Sequence, residues 1–196
     1  MGTWLQPVTL RGEGVSLVPL APAHENDLRQ AVLDGELWNL WYTFVPRPEA
    51  MGAEIDRRLG LQASRIEVLP FAVVDAAGSA VGVTSYMNVD TPNRRVEIGS
   101  TWYRKNVQRT GLNTQCKLLL LTHAFDTLDC IAVEFRTHFF NQQSRRAIER
   151  LGAKLDGVLR SHQRATNGTL RDTCVYSIVA AEWPTVKAHL RHQLSR

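Results

Sequence analysis

Cysteine is scarce in this sequence, and long runs of apolar residues are missing. The 196 residues include three cysteines, Cys116, Cys130 and Cys174, which are odd in number and show no CxxC spacing. They indicate neither a disulfide framework nor a zinc site, and a reducing compartment fits. No segment approaches the roughly 18 apolar residues of a membrane span, and the N-terminal stretch lacks the apolar core of a signal peptide. We therefore expect a soluble cytoplasmic protein that binds no metal and no membrane.

A large excess of charge of one sign is also missing. Lysine and arginine number 23 against 19 aspartate and glutamate residues, which gives a formal net charge of +4. This modest surplus fits an anionic small ligand better than a surface that coats nucleic acid. With 44% hydrophobic and 21% charged residues the composition is globular, and the length suits a single domain over residues 1–196.

Alternating and helical patterns of apolar residues predict the elements of the chain. A hairpin is predicted over residues 8–20, around a turn at 12–14. Further strands are predicted at 71–75, 80–89, 94–103, 131–138, 154–162 and 170–179. Helices are predicted at 22–40, 49–66, 112–128 and 142–151, with an amphipathic tail at 182–194. The mixture favours an α+β or mixed α/β architecture around one mixed sheet.

The most informative segment is a polar loop between a predicted strand and an apolar helix. It runs from Trp102 to Gly111 (WYRKNVQRTG), and the helix follows as LNTQCKLLLL. A helix N-terminus offers unpaired N–H groups, so a glycine there lets a phosphate approach the backbone. Positive charge collects around the same point on Arg104, Lys105, Arg109 and Lys117. The alternative interpretation is a plain loop with solvated basic residues.

Other phosphate-binding and nucleophile motifs are absent from the sequence. There is no GxxxxGK(S/T), and Gly12-x-Gly14 is followed by Leu17 where a dinucleotide fingerprint needs a third glycine. A GxSxG nucleophile elbow is absent as well. Kinase-like, Rossmann-type and α/β-hydrolase functions are therefore not favoured.

Two segments resemble the GNAT superfamily of N-acyltransferases, and within it the RimJ/RimL type. The stretch from Gln108 to Asn113 (QRTGLN) matches the first two fixed positions of the family signature Q/R-x-x-G-x-G/A and departs from its small final residue at Asn113. Downstream, Asn141-Gln-Gln-Ser144 and Gly152 are similar to the family's NxxSxxxxxxxG segment. The order, separation and strand–helix context of the two segments also agree, and the resemblance covers nearly the whole chain.

The resemblance implies a fold and a co-substrate. The fold would be a GNAT fold, with a splayed mixed sheet of about six to seven strands flanked by helices. Acetyl-CoA would enter the gap between two strands, with its pantetheine arm along one strand and its pyrophosphate at the helix start. The implied cofactor-binding residues are Thr101, Trp102, Tyr103, Gln108, Arg109, Thr110, Gly111, Leu112, Asn113, Thr114, Asn141 and Ser144. A homodimer is also expected, because dimers are frequent in the family.

Acetyl transfer to an amine needs a neutral nucleophile and a proton for the departing thiolate. Glu97 lies eleven residues before Gln108, where several family members carry a glutamate that acts as a base through water. We predict that role for Glu97; the alternative is a sheet glutamate paired with a cation such as Arg94 or Arg95.

The proton donor is less well marked. Many relatives carry a tyrosine where this chain has Ile148. Tyr103 is one candidate substitute, against the alternative of a buried tyrosine whose hydroxyl is merely satisfied. His138 is a second candidate, as base or acid, against an ordinary packing histidine. A thiolate is also a tolerable leaving group without a dedicated acid.

The acceptor site is expected near an aromatic segment in the N-terminal half. Trp38, Trp41 and Tyr42 are the candidate substrate-binding residues, and the alternatives are the underside of two helices or a dimer contact. The leading hypothesis is transfer of acetyl from acetyl-CoA to a primary amine, either a protein or peptide α-amine or a small amine, by direct attack in a ternary complex. The other class is a non-catalytic acyl-CoA-binding sensor or assembly module.

Overall fold

The computed structural model describes residues 4–65, 68–165 and 167–196. An eight-stranded sheet with the order β1-β2-β3-β4-β5-β6-β8-β7 forms its centre. All neighbouring strands are antiparallel except β5 and β6, which are parallel. The strands are β1 Leu10–Arg11, β2 Val15–Pro19, β3 Leu69–Asp75, β4 Ala80–Asp90, β5 Arg95–Tyr103, β6 Ala132–His138, β7 Lys154–Arg164 and β8 Leu170–Val179.

Five α-helices accompany the sheet in the described residues. They are α1 Glu25–Leu33, α2 Met51–Arg65, α3 Leu112–Thr122, α4 Gln142–Arg150 and α5 Trp183–Leu194. The helix predicted at 22–40 is broken, because Gly35 and Glu36 take left-handed conformations with φ of 95° and 47°. The helix predicted at 112–128 ends in a π-helical turn, His123–Thr127. The last residue of the helix predicted at 49–66 lies outside the described residues.

Two hydrophobic cores lie on opposite faces of the sheet. The larger core packs α3 and α5 against the sheet, and it includes Phe71, Tyr86, Leu120 and Trp183. The smaller core packs α1 and α2 on the other face, around residues such as Leu28, Val32 and Ile55. We call these the α3 face and the α2 face. None of the described helices is both long and apolar enough to cross a membrane.

The two parallel strands separate after three residue pairs. Arg95, Val96 and Glu97 of β5 pair with Ala132, Val133 and Glu134 of β6. Beyond Glu97 no further pairs form, although β5 continues to Tyr103 and β6 to His138. The sheet therefore opens into a gap between the C-terminal halves of β5 and β6, as the predicted splayed sheet requires.

A bulge in β5 lies at the point where the gap begins. On the other side of β5 the pairing shifts from Ser85 opposite Gly99 to Val83 opposite Trp102, so β5 carries one extra residue. Ser100, inside this bulge, has a φ of 50°, which is rare for a residue with a side chain. The bulge bends β5 next to the gap.

The close approach of β4 and β5 gives a stability prediction. A Cβ atom at Gly82 would lie 2.9 Å from the Tyr103 Cα and against the Trp102 carbonyl oxygen, both backbone atoms of β5. We expect Gly82→Ala to lower the free energy of unfolding by about 2–3 kcal/mol in urea denaturation, since the strands must shift. Gly157→Ala is the control, because a Cβ there meets nothing within 4 Å. Equal stability of the two variants would contradict this packing.

Candidate active site

The loop between β5 and α3 is held in shape by its own side chains. Gln108 Nε2 donates to the Tyr103 carbonyl at 2.8 Å. The Thr110 hydroxyl donates to the Val107 carbonyl at 2.7 Å and accepts the Leu112 N–H at 3.2 Å. Arg109 has a left-handed φ of 62°, a strain that is found at ligand-binding turns. The loop therefore presents its backbone in one defined conformation.

The start of α3 fits an anion. Gly111 is the N-cap, it supplies no side-chain hydrogen bond, and the first turn of the helix contains no acidic residue. Its φ of −65° is open to any residue, and a Cβ would meet only Leu194, at an ordinary 3.5 Å. Neither backbone conformation nor packing requires glycine here. Because Gly111 has no side chain, the space beside the helix N-terminus stays open, and this space suits a diphosphate.

The positive charge around this loop is smaller than the sequence suggested. Lys117 is buried and faces the sheet, so it does not contribute to the loop surface. Arg104 pairs with Asp34, at 3.2 Å between Nε and Oδ2. Lys105 and Arg109 remain as exposed cations of the loop.

The two segments that carry the family resemblance meet in space. Gln143, in the first turn of α4, donates from Nε2 to the side-chain oxygen of Gln108 at 3.3 Å. Asn141 is the N-cap of α4, and its Oδ1 accepts the Ser144 N–H at 3.0 Å. Asn141 therefore has a structural task in addition to its predicted cofactor role. The predicted cofactor-binding segments thus lie together, at the open end of the gap.

Glu97 lies where β5 and β6 separate. It is 6% exposed, and its Oε2 accepts a hydrogen bond of 2.6 Å from Asn88 Nδ2. Arg136 Nε is 3.7 Å from the same oxygen. No donor within the described ranges reaches the second oxygen, Oε1, which lies against Gly99; a Cβ there would be 2.7 Å from it. One carboxylate oxygen is thus anchored and the other is available beside the bulge.

Glu97 and its neighbour Glu134 differ in their environments. Burial raises the pKa of Glu97 above its usual value, and it outweighs the hydrogen bond from Asn88 and the charge of Arg136, which lower it. Burial also raises the pKa of Glu134, but bonds from Arg95 at 2.7 Å and Arg136 at 3.0 Å hold it below its usual value. Paired carboxyl groups with pKa values pushed apart are typical of acid–base sites.

The two arginines named as alternative partners of Glu97 are engaged elsewhere, but another cation, Arg136, lies within ion-pair distance of it at 3.7 Å. Arg94 pairs with Asp129, and Arg95 with Glu134. A cavity of about 220 Å³ opens beside Glu97, and a second of about 320 Å³ adjoins it through shared lining residues. The first is lined by Asn88, Asp90, Arg95, Val96, Glu97, Glu134 and Arg136.

The side chains of Trp102 and Tyr103 face opposite cores and not the gap. Trp102 is buried in the core of the α2 face, and Tyr103 in the core of the α3 face. Burial raises the pKa of Tyr103 well above its ordinary value, and its hydroxyl lies beside Cys116. This placement argues against Tyr103 as the acid. Neither side chain reaches the gap, and of the two carbonyls that of Trp102 lies against Gly82 of β4 while that of Tyr103 accepts from Gln108.

His138, at the end of β6, lies among aromatic rings. Its ring centroid is 5.2 Å from that of Trp41, 6.4 Å from Tyr42 and 5.8 Å from Phe140. Nδ1 accepts the Phe140 N–H at 3.1 Å, so in the neutral ring the proton is on Nε2. Burial lowers the pKa of His138, which favours that neutral ring. In that ring Nε2 carries the proton and is buried without a hydrogen-bond partner among the described residues, so it can act as a donor but not as a base.

The predicted acceptor residues separate into two places. Trp41 and Tyr42 approach His138 at the wall of the gap, and Trp41 is 54% exposed. Trp38 instead packs on the core of the α2 face, with Arg47 over its ring at 5.7 Å. The structure thus brings two of the three aromatic residues to the gap.

Two further residues at this site, Asn88 and Arg58, were not predicted from the sequence, and Lys117 was predicted at the loop and not here. Asn88 anchors Glu97, and Arg58 and Lys117 reach the bulge from α2 and α3. No local motif marks them. An arginine and a lysine at buried positions of otherwise apolar helix faces are the one signal that could have indicated the last two.

The chain belongs to the acetyltransferase (GNAT) domain family, whose model matches residues 15–154. This confirms the predicted GNAT fold, with eight strands in place of six to seven.

Individual relatives agree with this family. The Bacillus subtilis (strain 168) protein named "Putative ribosomal N-acetyltransferase YdaF" is 34% identical over 106 residues, 54% of this chain and 57% of that protein. The chain thus matches little more than half the length of that relative. The crystal structure of a GCN5-related N-acetyltransferase from Brucella melitensis is 29% identical, with a TM-score of 0.84 over 97% of this chain and 86% of that one.

A more distant structure shares the fold alone. It is the microcin C7 self-immunity acetyltransferase MccE in complex with acetyl-CoA and AMP, 20% identical. Its TM-score is 0.74, over 86% of this chain and 93% of that chain.

Proposed function

We propose that this chain is an N-acetyltransferase that transfers acetyl from acetyl-CoA to a primary amine by direct attack in a ternary complex. The observation that carries the proposal is the position of Glu97, buried at the point where β5 and β6 separate, with one carboxylate oxygen anchored and the other available. The start of α3 supplies the anion site for the cofactor at the other end of the same gap.

The site residues divide the binding of acetyl-CoA between them. The backbone of Arg109 to Thr114 takes the pyrophosphate, with Gly111 leaving room for it and Gln108 holding the loop. The strand edge at Thr101, Trp102 and Tyr103 pairs with the amides of the pantetheine arm. Asn141 and Ser144 border the arm from α4.

The chemistry follows from the position of Glu97. Its carboxylate takes a proton from the substrate ammonium through a water, because an amine with a pKa of ~8 or above is largely protonated at neutral pH. The neutral nitrogen attacks the thioester carbonyl carbon, the C–N bond forms, and the C–S bond breaks. The nitrogen gives up its second proton to solvent as the amide forms. The thiolate leaves with its electron pair and takes a proton from solvent, since its pKa is about 8–9.

The acceptor we propose is of the RimJ/RimL type, the α-amine of a protein or peptide, or else a small amine. Two features support a cationic acceptor. The cavity beside Glu97 carries three carboxylates, on Asp90, Glu97 and Glu134, against two guanidinium groups. Exposed Trp41 near the gap offers an aromatic contact. A cytoplasmic homodimer is part of the same proposal.

Calorimetric titration with acetyl-CoA, and separately with dephospho-CoA and ATP, tests the cofactor half. We expect micromolar binding of acetyl-CoA and weaker binding of the other two. Thiol release is then measured with a peptide that begins with a free serine or alanine, and with spermidine. Release that depends on either amine is the expected result. Binding without turnover of any amine would favour the acyl-CoA sensor, and no binding at all would overturn the cofactor site.

A further inference from the structure

Two buried cations reach the bulge in β5 from opposite faces of the sheet. Arg58, on α2, is 4% exposed, and Lys117, on α3, is 6% exposed. Both end within hydrogen-bond distance of hydroxyl groups on β4 and β5, around Ser100. Burying a charge is costly, and replacing a whole buried ion pair with apolar residues is often neutral or stabilising, so buried charges are weak evidence for a purely stabilising role. Two of them at one bulge therefore point to a role beyond stability.

On the α2 face, Arg58 holds Ser100 directly. Its Nη2 donates to the Ser100 hydroxyl at 2.8 Å, and its Nη1 lies 3.4 Å from the Ser100 carbonyl and 3.2 Å from the Ser85 hydroxyl. Its Nε donates to Glu54 at 2.7 Å. Although burial raises the pKa of Glu54, bonds and charges from Arg57 and Arg58 outweigh it and keep the pKa below its usual value. The ionised carboxylate orients the guanidinium toward the bulge.

On the α3 face, Lys117 holds the next residue of the bulge. Its Nζ donates to the Thr101 hydroxyl at 3.0 Å and is 3.4 Å from the Thr84 hydroxyl. The Thr101 hydroxyl is in turn 3.3 Å from the Gly99 carbonyl. Across the described ranges, no carboxylate lies within ion-pair distance of Lys117. Burial lowers the pKa of Lys117 to about 8. In the described residues the hydrogen-bond partners of Lys117 are the hydroxyl groups of Thr101 in the bulge and Thr84 on β4.

We propose that Arg58 and Lys117 are positioning residues for acetyl transfer, which together fix the bulge at residues 99–101 from its two faces. The inference rests on the proposed function. Because a peptide unit is planar, holding the carbonyl groups of Gly99 and Ser100 also sets the directions of the N–H groups of the two following residues. The free oxygen of Glu97 lies against the same Gly99, so the conformation of the bulge also determines the position of the proposed base. The left-handed φ of Ser100 needs such support to persist.

Three methionine variants test the proposal: Arg58→Met, Lys117→Met and Arg57→Met. Arg57 is the matched control, because it binds the same Glu54 but is half exposed and makes no contact with the bulge. We expect the first two variants to lose about 10- to 100-fold in kcat, since small misplacements of reacting groups have effects of this size. The KM for acetyl-CoA should stay close to that of the wild type, and Arg57→Met should keep both constants.

Hydrogen exchange of the amides at residues 97–103 gives a second measurement that needs no turnover. Exchange there should be faster in Arg58→Met and Lys117→Met than in the wild type and Arg57→Met. Ser100→Ala, which removes one hydroxyl and no charge, is the substitute if Arg58→Met or Lys117→Met does not fold. Exchange at residues 97–103 should be faster in Ser100→Ala as well. Unchanged exchange, or unchanged kcat in folded variants, would overturn the positioning role. An inactive wild type would instead overturn the proposed function, while exchange would still decide whether the cations hold the bulge.

Discussion

Replacing Glu97 with glutamine is expected to lower kcat/KM for acetyl transfer by about 10²–10³-fold, the usual contribution of a positioned general base. Glutamine keeps the shape of the side chain and an oxygen for Asn88, but it cannot accept a proton. Thiol release with the amine that the wild type uses best is the measurement. Affinity for acetyl-CoA should be unchanged, because Glu97 lies at the far end of the gap from the anion site.

The pH dependence separates a base from a structural glutamate. Burial raises the pKa of Glu97, so the wild-type rate should rise with pH through a pKa above the ordinary glutamate value. This acidic limb of the pH–rate profile should be missing in Glu97→Gln. Glu49→Gln, at an exposed position, is the charge-matched control. A variant with the wild-type rate and the same acidic limb would show that Glu97 is not the base.

The same substitution should leave the fold intact or strengthen it. A carboxyl group with a raised pKa in the folded state binds its proton more tightly there than in the unfolded chain. Its contribution therefore lowers stability as the pH rises from the ordinary glutamate pKa through the raised one. Above the raised pKa that penalty is fully present in the wild type, and it is absent in Glu97→Gln. Loss of activity with equal or higher stability is what a functional, and not a structural, carboxylate produces.

The elements, and the loop that joins β5 to α3, could be predicted because their signals are local. Apolar periodicity marks each strand and helix, and the residues from Gln108 to Gly111 are adjacent in the chain. Glu97 was predicted from the family resemblance, because several members carry a glutamate base at this distance before the loop. Its role stays a prediction that the proposed variants test.

The bulge explains why side-chain directions in β5 could not be predicted. Val96 and Ile98 face the α3 core, and strict alternation would place Trp102 on that face as well. The extra residue at Ser100 shifts the phase by one, so Tyr103 takes that face and Trp102 the other. Nothing in the strand sequence marks the bulge, because it depends on its pairing with β4.

Contacts between distant parts of the chain could not be predicted from the sequence either, because they also depend on how the elements pack together. Arg58 meets Ser100 across 42 positions, and Lys117 meets Thr84 across 33. Such contacts arise from the packing of helices on the sheet, and a single sequence carries no pattern that predicts them.

Replacing Gly111 with glutamate is expected to abolish measurable binding of acetyl-CoA while the protein stays folded. The side chain would enter the space at the N-terminus of α3, and its carboxylate would occupy the place of the pyrophosphate. The fold should tolerate it, because φ at Gly111 is helical and a Cβ meets only Leu194, at 3.5 Å. An acidic side chain near a helix N-terminus also interacts favourably with the helix dipole.

Two further variants separate the effect of the added charge from the effect of the added bulk. Gly111→Gln adds the same bulk without charge, so it should weaken calorimetric binding less than Gly111→Glu if the site recognises an anion. Gly60→Glu adds the same charge on α2, where a Cβ meets nothing within 4 Å, and should bind acetyl-CoA as the wild type does. Equal loss in both Gly111 variants would mean that space alone decides binding. Undiminished affinity in Gly111→Glu would place the diphosphate elsewhere, because the glutamate would then occupy the predicted anion site without competing for it.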